Sequence, residues 1–466
     1  MLTTVIRDAR ALAVLAVPLI LTQLAQVALT TTDTVMMGLL STEELAAGGL
    51  AIVIFNQVRT MGVGLVTSVG NQIAAAAARA EQAAEHGAGA DAAREEVRSV
   101  VRAAFAVATA AGIVGALLLP AIGYALPHLG QDAAVADRAQ RMLLALAPGL
   151  LPCLWFQAIR QFTVGMRRPQ ALLRITLASV AVNAGLNWVL IHGTWGMPKL
   201  GLVGVGAATS TVYLLTFAAL YASARRDDEL APLLSLNPLK ADAATVKRLV
   251  ALGVPIAATY GSEAGFFSLT ALLAGSFGPA ALAAHTAVNQ LVYIVFQVAV
   301  GLSHAASINV SREIALGHHE RARRLMTTAL ACAACVMGAV AAVYLAVPRL
   351  VLRPFLEAAD GNAVDTATHL LFVAAALQFF DCAQNIGVGL LRGLDDTKGG
   401  FRITLVGYWA IGLPASCILA FACGWDAVGL WLGLLTGLAA TAVLLLRRFT
   451  SALAAGAAVR PSAATA

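Results

Sequence analysis

Three carboxyl groups stand in stretches too apolar to carry an idle charge. They are Asp33 in VALTTTDTVMMG, Glu263 in YGSEAGFFSL and Asp381 in LQFFDCAQNIGVGLLRG. An Asp at the centre of a membrane span costs about 2.5–3.5 kcal/mol on insertion scales, so such a residue normally faces a bundle interior. Low dielectric disfavours the charged form of a carboxyl. A group placed there can take a proton from one side of a membrane and release it to the other. Beside neutral oxygen ligands it can instead hold a hard cation. The plainer reading is a satisfied hydrogen bond between helices, or a water-facing position near a helix end. That reading fits Asp33, near the outer end of its stretch, better than it fits Glu263 or Asp381.

Neutral ligands of the required kind are present. Asn183 and Asn187, in ITLASVAVNAGLNWVLIHG, are spaced i, i+4 and share one helix face. Thr209 follows in GAATST, and Gln157, Gln161, Gln378 and Gln384 add polar side chains in other apolar stretches. Each of these amides could equally be glue between helices. His285 and His304 lie in one apolar stretch, where a lone histidine is as often structural as functional, and neither is read as a proton carrier. No G-x-x-x-x-G-K-[ST] phosphate loop occurs. No nucleophile with an adjacent base stands out either, so neither ATP as energy source nor an enzymatic activity is indicated. Cys332 and Cys335 form a CxxC without a second ligand pair, and cysteines in apolar segments behave as small hydrophobes.

The elements that must position these groups follow from composition. Of 466 residues, 59% are hydrophobic and 12% charged, and the mean hydropathy is +0.80. Soluble domains carry roughly 25% charged residues. The chain reads as an all-α membrane protein whose apolar runs approach the ~20 residues that a span requires. Twelve spans are expected, at 11–38, 45–75, 98–125, 136–160, 170–192, 200–223, 245–276, 281–314, 323–347, 364–392, 400–422 and 427–447. The N-terminal stretch continues past Val27 without a cleavage signal and reads as a retained first helix. Alternate loops and their flanking helix ends hold 25 of the 31 Lys and Arg residues, Arg160 and Arg460 among them, and only Arg59 falls deep in a span. By the positive-inside rule both termini are cytoplasmic. The net charge of +6 is explained by those loops without nucleic acid.

The chain also repeats itself. Residues 17–48 match 254–285 at an offset of 237, so that Pro18 meets Pro255 and Gly38 meets Gly275. Residues 156–166 match 380–390, pairing Val164-Gly165 with Val388-Gly389. Six spans per copy is an even number, so both copies insert the same way round and their pseudo-twofold axis lies along the membrane normal. The expected organisation is an N-terminal six-helix lobe (1–223), a cytoplasmic linker (224–244), a C-terminal six-helix lobe (245–450) and a cytoplasmic tail (451–466). Asp381 aligns with Gln157, Glu263 with Gln26, and Asp33 with Thr270. Each acid has a neutral counterpart, so the fold itself does not require it.

With these segments in view, the sequence resembles the multidrug and toxic compound extrusion (MATE) family, in its NorM-like bacterial branch. The resemblance rests on VPLILTQLAQVALTTTDTVMMGLLSTEELAAGGLA, LGVPIAATYGSEAGFFSLTALLAGSFGPAALAAH and LQFFDCAQNIGVGLLRGLDDTKGGFRITLVGYWAIGLP, with LIHGTWGMPKLGLVGVGAAT between them. It implies a monomeric multi-pass antiporter of the bacterial inner membrane, in contact with membrane lipid, that exports cationic, often aromatic drugs against inward H⁺ or Na⁺. No cofactor beyond the coupling ion is implied. The resemblance places coupling at Glu263 and Asp381 in the C-lobe and at Asp33, Asn183, Asn187 and Thr209 in the N-lobe. Phe267 matches a position of substrate contact; Gln378 and Asp33 are further substrate candidates. Two positions depart from the family pattern: Thr286 stands where relatives often have glutamine, and Leu377 where some sodium-coupled relatives have tyrosine. The second departure weakens a C-lobe Na⁺ site and leaves proton coupling at least as well supported. A lipid-linked precursor flippase of the same superfamily would call for a cationic cavity. A non-transporting receptor or scaffold would leave the repeat and the buried acids unexplained.

Overall fold

A computed structural model describes residues 2–85, 90–129, 132–356 and 361–459. Arg460, one of the basic residues that set the orientation, lies outside the described residues, as does the rest of the expected tail from 460 to 466. The described chain is helical throughout, with no strand. In order the helices are α1 (Leu2–Gly38), α2 (Thr42–Thr67), α3 (Val69–Glu85), α4 (Ala90–Ala125), α5 (Ala133–Gly165), α6 (Gln170–His192) and α7 (Leu202–Arg226). Then come α8 (Ala243–Gly275), α9 (Pro279–Ala315), α10 (His319–Ala346), α11 (Pro348–Leu352), α12 (Gly361–Gly393), α13 (Thr397–Leu405), α14 (Leu413–Cys417) and α15 (Asp426–Val459). Eleven stretches among the described residues are long and apolar enough to cross a membrane. Helix α8, 33 residues long, makes the twelfth of the expected spans; Lys247, Arg248, Glu263 and Pro255 dilute its apolar character.

Several boundaries differ from the sequence reading for local reasons. The expected span 45–75 is two helices, because the chain breaks at Ser68, whose backbone N–H turns back to the Val66 carbonyl. Helix α15 runs on to Val459 because nothing between Arg447 and Ala455 breaks a helix. The expected span 400–422 is not one α-helix. Two π-helical segments, Val406–Gly412 and Ile418–Ala422, flank α14. Pro414 has no N–H to give to the helix and would crowd the carbonyl one turn back. Gly407 and Gly412 leave room for the wider turn, and a Cβ at Gly437 of α15 would lie 2.7 Å from the Gly412 Cα.

The chain divides into two compact units, Leu21–Tyr260 and Met1–Ile20 with Gly261–Ala466. The divisions fall inside α1 and α8, a few residues past Pro18 and Pro255, rather than in the 224–244 segment. In the first unit α5 is the hub and packs against α2, α4 and α7. Met37, Phe55, Met142, Leu143 and Leu150 fill its core. The 224–244 segment folds as short 3₁₀ turns on this unit, where the Pro232 carbonyl accepts from Arg98 Nε at 2.8 Å. In the second unit α12 is the hub and packs against α9, α10 and α15. Phe266, Leu370, Leu377, Tyr408 and Trp431 form its core.

The two hubs carry the two copies of the second repeat. Their matched glycines are both points of close approach. A Cβ at Gly165 would lie 2.7 Å from the Gly70 carbonyl oxygen, and one at Gly389 would lie 2.7 Å from the Ser303 carbonyl oxygen.

Candidate functional site

In the first unit the sequence-derived residues converge. Asp33 lies late on α1 and is 7% exposed; Asn183 and Asn187 of α6 are fully buried. One Asp33 oxygen, Oδ1, accepts from the Nδ2 groups of both asparagines at 2.7 Å. Its other oxygen accepts from the Thr209 hydroxyl of α7 at 3.1 Å. The i, i+4 spacing on α6 is what lets both amides reach one carboxyl. Three donors on a carboxyl form a shell suited to a negative charge. The Asn183 and Asn187 Oδ1 atoms are buried without a partner in the structure. Two amide oxygens thus remain beside the carboxyl.

A cavity of about 50 Å³ opens beside this cluster, with Asp33, Asn183, Thr209, Gln26 and Arg59 in its wall. That is room for a few waters or one small hydrated cation. Arg59 gives its Nε to Asn56 Oδ1 at 3.2 Å.

Arg160, which sequence reading placed among the cytoplasmic helix ends, is 3% exposed. Its guanidinium donates to Gln23 Oε1 at 3.0 Å and Gln157 Oε1 at 3.2 Å. Gln157 is the repeat partner of Asp381. In this copy the position accepts from a buried cation instead of carrying an acid.

In the second unit Glu263, half-buried on α8, accepts from the Tyr408 hydroxyl at 3.2 Å. Asp381, 4% exposed on α12, accepts from Asn385 Nδ2 at 3.1 Å and also bonds Gln384. The two carboxyls are near enough for their charges to interact. Sequence reasoning missed Tyr408. Its ring is fully buried and stacks on Phe266 at 5.0 Å and 15°. Its neighbour Trp409 donates to Ser262 Oγ at 2.8 Å. Consecutive residues of the π-helical segment thus reach consecutive residues of α8. Such widened turns occur frequently at functional sites, and the Gly407…Gly412-Pro414 pattern was the available signal.

Other sequence candidates fall outside these clusters. Gln378 is buried and gives its Nε2 to the Met337 carbonyl of α10 at 3.1 Å, as a tie between helices does. Phe267, half-buried, meets Phe266 edge-on at 5.9 Å, and it is Phe266 that lies in the core against Tyr408. Thr286 gives its hydroxyl to the Leu282 carbonyl of its own helix at 2.8 Å. His285 Nδ1 accepts from Trp431 Nε1 at 3.1 Å, which makes it a packing partner. The six cysteines are free thiols. No group of three or more His, Cys, Asp or Glu side chains among the described residues could hold a metal ion.

Long apolar helices, a duplicated six-span unit and carboxyls buried in both copies together define a multi-pass membrane carrier. The MatE family profile matches residues 18–189 and 255–418, segments whose starts are separated by the repeat offset of 237 residues. The chain is 36% identical over 440 residues to the probable multidrug resistance protein NorM of Pseudomonas aeruginosa, covering 94% of this chain and 88% of that one. It is 36% identical over 442 residues to the probable multidrug resistance protein NorM of Bradyrhizobium diazoefficiens, covering 93% and 91%. An outward-facing multidrug resistance MATE family transporter of the MOP superfamily shares the fold, with a TM-score of 0.85 at 15% identity over 96% of each chain. The protein belongs to the MatE family, and is a transporter rather than an enzyme.

Proposed function

We propose that the protein is a secondary antiporter of the bacterial inner membrane, acting as a monomer with both termini cytoplasmic. It exports cationic, often aromatic compounds against inward H⁺ or Na⁺. The observation that carries this reading is the pairing of a carboxyl cluster in each unit with neutral counterparts at the repeat-related positions. Relatives named as multidrug resistance proteins, 36% identical over most of the chain, support the cargo class.

Each cluster supports a coupling role by its own chemistry. Asp33 sits in a shell that can serve either ion. With amide N–H groups turned inward, the shell holds a bare carboxylate. A half-turn of either asparagine amide would present an oxygen instead, and hard cations take carboxylate and amide oxygens. A proton or cation on Asp33 removes the negative charge that attracts a cationic cargo, so ion and cargo compete for one group. Glu263 and Asp381 carry interacting negative charges when both are ionised, which favours binding one proton or one cation between them.

The test is ethidium efflux from vesicles with ΔpH and a sodium gradient imposed separately. Glu263→Gln and Asp381→Asn keep shape and remove titration. Each should insert and fold normally yet lose uphill efflux. Asp33→Asn should impair it as well. Wild-type uphill efflux by the Glu263→Gln, Asp381→Asn double variant would sink the proposal.

A further inference from the structure

The turn between α5 and α6 has a construction that ion coupling does not use. Arg167 adopts a left-handed conformation (φ 60°), and α6 begins after Pro169. Pro169, at the cap position, gives no side-chain hydrogen bond to the helix. The first-turn amides of α6, those of Gln170 and Ala171 included, therefore have no helical acceptor. They also form the positive end of the helix dipole.

A cavity of about 480 Å³ opens there. Arg167, Arg168 and Arg174 line it, against the single carboxyl of Asp227. Arg168 is committed: it pairs with Asp227 at 2.7 Å and with Glu229 at 2.6 Å. Arg174, one turn into α6 and exposed, makes no ion pair among the described residues. Leu220 and Leu230 give the cavity an apolar wall beside its charged rim. The stretches that qualify as spans in α5, α6 and α7 end or begin at this level.

We propose that this cavity binds a phosphate group: the phosphodiester of an anionic lipid headgroup, or free phosphate. Guanidinium forks match phosphate oxygens in pairs, and open helix N-termini accept anions. In the bound state Arg174 and the first turn of α6 hold the phosphate from one side and Arg167 from the other. The Arg168 pair fixes the turn against the end of α7. An apolar wall beside a basic rim at the end of membrane spans is the build of a headgroup pocket.

The experiment uses the full chain in a neutral detergent, without any gradient, so its outcome is independent of transport. The thermal midpoint is titrated with short-chain phosphatidylglycerol, short-chain phosphatidylcholine and inorganic phosphate. Phosphatidylglycerol should raise the midpoint where phosphatidylcholine does not. Arg174→Gln should weaken its apparent affinity about tenfold, in line with loss of a charged hydrogen bond. Arg167→Gln with Arg174→Gln should abolish the shift, while Arg174→Lys, which keeps the charge but not the fork, should retain only part of it. A rise with inorganic phosphate but not phosphatidylglycerol, lost in the same double variant, supports the site and assigns free phosphate as its occupant. No rise with either probe, an equal rise with phosphatidylcholine, or a rise that survives the double substitution overturns the proposal.

Discussion

Tyr408→Phe removes one oxygen from the second unit and little else. The ring is fully buried and stacked on Phe266 at 5.0 Å, and phenylalanine keeps both features. What is lost is the hydrogen bond to Glu263, 3.2 Å long. Hydrogen bonds to charged groups contribute about 1.5–3 kcal/mol. This one is longer than the usual ~2.7–2.8 Å for O–H···O, so the lower figure applies: about 1.5 kcal/mol, or roughly tenfold in a rate or binding constant. If Tyr408 holds the Glu263 carboxyl in its coupling position, uphill ethidium efflux by Tyr408→Phe should fall about tenfold. Expression and chromatographic profile should stay unchanged. Trp409→Phe is the matched control: it removes the neutral bond to Ser262 and should slow efflux less. The thermal midpoints of Tyr408→Phe, Glu263→Gln and the double variant then form a cycle. The two changes should be strongly sub-additive, since either one breaks the same contact. Wild-type efflux by Tyr408→Phe, or strict additivity in the cycle, would refute the assignment.

Three further outcomes are expected. In a background lacking the six native cysteines, single cysteines at Glu43 and Ala280 should react with an impermeant thiol reagent from outside intact cells. Those at Asp91 and Asp395 should not, and labelling of Asp395→Cys would reverse the orientation. Gly389→Val should destabilise by about 1–3 kcal/mol, read as a lowered thermal midpoint, because α12 and α9 would have to part at Ser303. Asp227 lies outside the spans. Burial works against its charge, but the bond to Arg168 and the backbone N–H groups of Glu229 and Leu230 together outweigh it and hold the carboxyl below its usual range. A depressed carboxyl stabilises the fold above its ordinary pKa, and that stability is lost as pH falls through the lower folded value. Asp227→Asn should therefore melt earlier than wild type at pH 7, with the gap closing as the pH drops below the ordinary carboxylate range.

The Asp33 cluster was legible because its signal is local and chemical. Polar side chains in apolar runs must find one another, and the asparagine spacing fixes a shared face. The glycine pairs of the repeat were legible as positions, though not as points of backbone approach. Tyr408 was not legible. A tyrosine in an apolar span reads as lipid-facing or core, and only the packing of the π-helical segment Val406–Gly412 against α8 shows which. Arg160 was misread because its distance from a helix end implied water, whereas tertiary packing encloses it and supplies two glutamine acceptors. Gln378 carried the same polar-in-apolar signal as the asparagines but spends it on a carbonyl of α10. Residue type alone cannot separate a ligand from a tie.

The π-helical segment Val406–Gly412 also bears on how this span can change over generations. A π turn is an α-helix carrying one surplus residue, so its length is one residue out of step with the helix on either side. Deleting Ala410 would let the helix close to ordinary pitch and still cross the membrane. The residues on either side would stay nearly in phase, because a π turn holds its surplus residue within about the same rotation as an α turn. What would change is the inside of the turn, where Tyr408 and Trp409 both reach α8. The surplus residue is thus a local device that spaces these two side chains without disturbing the faces of the helix beyond them. Substitutions there should be tolerated more readily than a single-codon loss.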